Sequence, residues 1–155
     1  MVDQLRDLLH DLLGPLDELQ ELLRRETTAL IEGQDDAIVQ LATDKQTALG
    51  QLADGTKRLD ALLRRQGFTP DAGGLAACVR ETRASEGLET MYDEVIRVLG
   101  RCRVHNQTNG AVLERKRSAL ERALRVLFDQ EATPDRYHAT GRLDGFGAHR
   151  TIGEA

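Results

Sequence analysis

Asn106, Asn109 and Gly110 are the residues of this chain best placed to do chemistry, and that chemistry is hydrogen bonding. They interrupt an apolar stripe that leaves Leu88 by steps of four and three. It passes Tyr92, Val95, Leu99, Cys102, Asn106, Asn109, Leu113, Lys116, Leu120, Ala123 and Leu127. Such spacing is a coiled-coil seam in one phase. A buried amide without a partner costs about 1–3 kcal/mol, and a glycine inside a helix costs roughly 1 kcal/mol against alanine. Two readings stay open: the amides set helix register inside a bundle, or they line a groove meant for another molecule. Asn109-Gly110 signals a hairpin turn between strands. The helical phase continues across it here, so a turn is rejected, and Gly110 is free to serve close helix approach.

No other residue set points to catalysis. His10, His105, His138 and His149 lack metal-ligand spacing, and Cys78 and Cys102 form no CxxC. No glycine-rich loop follows a strand, and the carboxylates fall on exposed helical faces. The chain is therefore expected to be no enzyme and to need no metal or cofactor. Arg115-Lys116-Arg117 is diluted by Glu114 and Glu121, the net charge is −5 and aromatics are only 3%, which argues against nucleic acid as a partner. No apolar run approaches the roughly 18–20 residues that span a bilayer, so membrane insertion is not expected. Asp3, Arg6 and Asp7 break any signal-peptide core, and the cysteine usage suits a reducing cytoplasm.

The elements that would position the amides are helices. Scarce aromatics, 30% charged residues and a leucine-alanine apolar load favour thin bundles over a thick core. Val2, Leu5, Leu9, Leu12, Leu16, Leu19, Leu23 and Leu30 keep a three-four rhythm in which Glu26 fills the one polar slot. Leu8, Leu13 and Leu22 widen that seam, so the first helix meets more than one neighbour. The phase survives Gly14-Pro15, which predicts a kinked helix and not two elements. Gly33 stops it, and Asp35 or Asp36 caps a second helix to about Gln66, whose seam is weakened by Lys45, Gly55 and Thr56. Arg64, Arg65, Gly67, Phe68 and Pro70 mark its end.

A short helix is expected around Leu75–Arg83, then a third long helix from an N-cap at Ser85 to about Gln130. The predicted fold is all-α: an elongated antiparallel helical bundle or coiled coil of three long helices plus one short one. Residues 1–130 form the bundle and 131–155 a mobile C-terminal tail with too little apolar surface to offset its ordering. The acidic stretch Asp3–Glu21 should pair with the arginine-rich third helix, fixing orientation more than stability. Leu113, Leu120, Leu124, Leu127 and Phe128 make an apolar face at the end of that helix. It either packs in the core or overhangs to seat a partner's amphipathic helix.

The three helices, Asn106-Gln107-Thr108-Asn109-Gly110 preceded by Cys102, and Tyr137-His138-Ala139-Thr140-Gly141-Arg142 resemble the FlgN family of bacterial flagellar export chaperones. Glu26-Thr27-Thr28-Ala29-Leu30, Asp36 and Lys45 resemble the first hairpin of that family. The chain departs from the pattern at His138, where the family usually has a small or acidic residue, and at Tyr92, near a common tryptophan. The resemblance implies a cytoplasmic chaperone that binds terminal helices of hook–filament junction (hook-associated) proteins, prevents premature assembly and delivers them to the type III export gate. It places client binding on Asn106, Asn109, Gly110, Leu113, Leu120, Leu124, Leu127 and Phe128, and a gate contact on Tyr137. The competing class is a structural coiled-coil adaptor or homodimer whose seam is satisfied by itself.

Overall fold

A computed structural model describes the backbone of residues 1–82 and 86–147, with side chains for 1–82 and 87–127. Every element among them is a helix: α1 (Val2–Glu32), α2 (Asp35–Arg65), α3 (Ala72–Glu81) and α4 (Glu86–Gly147). The chain forms two units, Met1–Val112 and Leu113–Ala155.

In the first unit α1 is the central element. Leu5, Leu9, Leu12, Leu16, Leu19, Leu23 and Leu30 are all buried, as is Glu26 in the same rhythm. Leu22 is buried too, and Leu8 and Leu13 pack against the core from the flanks. This width of apolar surface serves two neighbours at once. Pro15 lies inside the helix, which continues through it.

Gly33 closes α1 in the left-handed conformation at φ 71°, and the Gln34 N–H reaches back to the Ala29 carbonyl at 2.9 Å. A side chain there would be strained, whereas glycine adopts it freely. The turn is so short that Gln34, not an aspartate, occupies the N-cap of α2, with no side-chain cap bond. Asp35 and Asp36 fall in the first helical turn instead, where their charge complements the helix dipole. The far end of α2 follows its sequence signals: Gly67 has φ 82°, and Phe68 folds back to donate to the Leu63 carbonyl and pack on the core.

Helices α1 and α2 run antiparallel, since Lys45 meets Glu26 while Arg58 meets Asp11. Two of the residues that weaken the α2 seam on paper are contacts of this interface. At Gly55 an added Cβ would lie 2.6 Å from Leu12 Cδ2, so glycine lets the backbone approach that leucine. Lys45 reaches the buried Glu26.

Helix α3 begins earlier than expected because Asp71 caps it: its carboxylate accepts from the Gly74 N–H at 2.8 Å and from the Thr69 hydroxyl at 3.0 Å. The Gly74 bond, then the Thr69 bond, hold this carboxyl below the usual aspartate range. A depressed folded value means that the stabilisation is complete above the ordinary aspartate pKa and is lost as pH falls through the lower folded value. Amide exchange in α3 is therefore expected to accelerate selectively on acidification below that range. Asp71→Asn should keep the cap, since asparagine caps as well, and remove the pH dependence. An unchanged pH profile in that variant would dismiss Asp71 as the cause.

Helix α4 departs from expectation at its end. It continues past Gln130 and through Thr133-Pro134 to Gly147. Proline forfeits one hydrogen bond without forcing a helix to stop. Of the expected tail, 131–147 is helical in backbone, while 148–155 lies outside the described residues, as does the expected cap Ser85. Helices α1 and α4 run parallel. Cys102 Sγ faces the Leu16 carbonyl and Asn109 Nδ2 the Leu23 carbonyl, so one heptad step on each helix keeps the same offset.

Candidate functional site

Asn109 is 2% exposed. Its Nδ2 donates to the Leu23 carbonyl at 3.0 Å and to Glu26 Oε2 at 2.7 Å, and its Oδ1 accepts from the Thr27 hydroxyl at 2.6 Å. The other Glu26 oxygen takes Lys45 Nζ at 2.5 Å. Glu26 fixes which way the amide points, because a flipped Asn109 would set its oxygen against a carboxylate. Glu26 and Thr27 are adjacent to Leu23 by one helical turn on α1. The Gly33 turn brings Lys45 back across them from α2, and α4 supplies Asn109. Three polar residues, each an interruption in its own helix's apolar rhythm, thus meet at one level and satisfy one another.

The pair is costly to bury, because desolvation of two charges offsets much of their attraction. What it supplies is register. Sliding α4 by one heptad would separate the Asn109 amide from Glu26, Thr27 and the Leu23 carbonyl, while the Glu26–Lys45 pair between α1 and α2 would stay in place. Of the two readings of Asn109, the geometry therefore matches register. All of its polar groups are spent inside the chain, and it is not free to meet a client. Asn106 differs: it is exposed and lines a groove. Gly110 is exposed with nothing within 4 Å of where a Cβ would stand, so it serves no close approach.

The buried series on α4 also corrects the predicted stripe. Leu88, Val95, Cys102 and Asn109 are buried as expected. The alternate positions are Met91, Val98, His105 and Val112, each buried or half-buried, in place of Tyr92, Leu99, Asn106 and Leu113. Tyr92 still touches the core, but Leu99 is 50% exposed and Ile96 stands exposed beside it. These two residues form one wall of a groove of about 790 Å³, opposite Ala42, Gln46 and Leu49 of α2, with Leu19 and Leu23 of α1 as its floor. The sequence reading missed this groove. Its signal was the apolar pair Ile96 and Leu99, a second rhythm one residue out of step with the first.

In the second unit the expected apolar face is open. Leu113, Leu120, Leu124 and Leu127 are 44–61% exposed and share one side of a helix by their spacing. The side chains of Phe128 and Tyr137 lie outside the described residues. Arg117 of the basic run pairs with Glu114 at 3.1 Å and Glu121 at 3.8 Å on its own helix. Three of the acidic residues of α1 are engaged elsewhere: Asp3 with Arg6, Glu21 with Arg24, and Asp11 with Arg58 of α2. Between α1 and α4, Arg97 is favoured in its charged form first by Glu94 on its own helix and more weakly by Asp17 of α1.

Among the described residues no cluster of histidine, cysteine, aspartate or glutamate could hold a metal ion, and no helix is long and apolar enough to cross a membrane. Both cysteines are free and buried, and burial raises both thiol pKa values.

No curated protein and no solved structure gives a significant match to the chain. The sequence model of the FlgN protein family matches residues 1–145. That match covers all four helices almost to the end of α4, and the chain therefore belongs to the FlgN family of flagellar export chaperones.

Proposed function

We propose that this chaperone captures the C-terminal helices of hook-associated junction proteins in the cytoplasm and hands them to the flagellar export gate. The observation that carries the reading is the open face of Leu113, Leu120, Leu124 and Leu127. Four leucines on one side of a helix are too much apolar surface to leave in water without a purpose. A client segment that forms coiled coils in the finished filament has the complementary face and would assemble early if left free. Helix-against-helix packing masks it reversibly. Arg115, Lys116, Arg122 and Arg125 keep the waiting face soluble. Phe128 extends the face by its spacing, and Tyr137 is assigned to the gate. Asn109 contributes by locking register, and client contact is left to the leucines.

Static light scattering of the purified chain with the C-terminal helical fragment of a junction protein tests this reading. A stable one-to-one complex is expected. Self-dimerisation with no uptake of the fragment would instead support a structural adaptor. A Tyr137→Ala chaperone is expected to bind the fragment with unchanged affinity and to export the client several-fold less efficiently in a secretion assay. Unaltered export would remove the gate role while leaving capture intact.

A further inference from the structure

The exposed wall of Ile96 and Leu99 belongs to a trough that α2 and α4 leave above α1. One stretch of this trough is already capped by a helix. The start of α3, with Ala72 and Leu75, adjoins a hollow whose floor is Leu9, Leu12 and Leu16 of α1. Beyond Ala72 the trough stays open along α4 from Ile96 to Asn106. We propose that this open stretch is a docking seat for one amphipathic helix of a partner protein, about three turns long, with an acidic residue opposite Arg103. The seat is separate from the leucine face of 113–127 and does not depend on its role.

Three observations select that occupant. The placement of α3 shows that the trough takes a helix with its apolar side down, since Leu75, Cys78 and Val79 are buried there. The floor and walls are apolar, from Leu19 and Leu23 to Leu49 and Leu99. The polar groups on the walls are unused: among the described residues, the side chains of Gln46, Arg103 and Asn106 make no hydrogen bond or ion pair. Lys45, by contrast, is committed to Glu26. The one uncommitted charge of the seat is therefore positive, and a facing carboxylate complements it.

Charge also decides against the leucine face of a second copy of this chain as the occupant. Leu113, Leu120, Leu124 and Leu127 stand among Arg115, Lys116, Arg117, Arg122 and Arg125, opposed only by Glu114 and Glu121. That surface would bring like charge to Arg103.

The test uses the full chain and two fluorescent 14-residue helical peptides with blocked ends. Both carry leucines at helical spacing and differ only in a glutamate or a lysine at the position facing Arg103. In anisotropy titrations at low salt the glutamate peptide is expected to bind roughly tenfold tighter, the span of a surface ion pair exchanged for a repulsion. Arg103→Glu, at an exposed position, should reverse the order. The titrations are run in the Leu120→Asp, Leu124→Asp background, so that the leucine face takes up no peptide, and there Leu99→Asp should weaken both peptides by at least about tenfold. Circular dichroism checks that each variant is folded, and the Arg103 reversal stands independently of Leu99. Absent binding, equal affinities for the two peptides, or indifference to Leu99→Asp would overturn the proposal. So would a homodimer that Leu99→Asp dissolves, because the occupant would then be a second copy. Capture of a junction-protein fragment on the leucine face is read separately with the Leu120 and Leu124 variant, so either conclusion can fail alone.

Discussion

Replacing Leu120 and Leu124 together with aspartate is expected to abolish client capture while barely changing the melting temperature. Both side chains are exposed in the free protein, so their removal takes little from the folded state. Surface substitutions of this kind stay within about 0.5 kcal/mol. In the complex the same leucines become buried, each contributing about 1.5–3 kcal/mol, and the aspartates would be desolvated against an apolar partner. The combined loss corresponds to roughly a thousandfold in affinity or more. Calorimetric titration with a junction-protein helix measures it. If the double variant binds normally, the client sits elsewhere. If it fails to fold, those leucines are interior and the exposed face is not a binding face.

Glu26→Ala is expected to be the most destabilising polar substitution in the chain. It leaves Lys45 partly buried without its carboxylate and strips Asn109 of its shortest donor contact. Breaking a buried pair from one side costs about 3–5 kcal/mol. The lower end applies, because Lys45 retains a path to water along its flexible stem. Chemical denaturation should register the loss as a lower midpoint at unchanged slope. Replacing Glu26, Lys45 and Asn109 together by apolar residues of similar size should recover most of it, since the pair itself adds little net stability. What that triple variant should lose is register, seen as slower folding or a mixed oligomeric state. A triple variant as unstable as Glu26→Ala would show that the network carries stability directly.

Much of this was legible from residue order because it is local. The leucine rhythm of α1, the Gly33 and Gly67 stops and the return of Phe68 depend on backbone preference and on neighbours within two turns. The errors have a common origin. Leu99 continues the rhythm on paper yet stands exposed, because steps of four-then-three and three-then-four both fit a helix. Asp71 was missed as a cap because its partner, the Gly74 N–H, identifies itself only once the turn has formed.

By itself, then, the sequence determined an all-helical chain, most of the helix ends and the FlgN family, since each rests on patterns carried within one segment. Tertiary structure alone decided which of two seven-residue rhythms on α4 is buried, because a helix has no inside until a neighbour covers it. It also decided that Glu26, Lys45 and Asn109, conspicuous as separate flaws, are a single lock: a buried charge or amide acquires its meaning only from the partner that another helix brings within hydrogen-bonding reach.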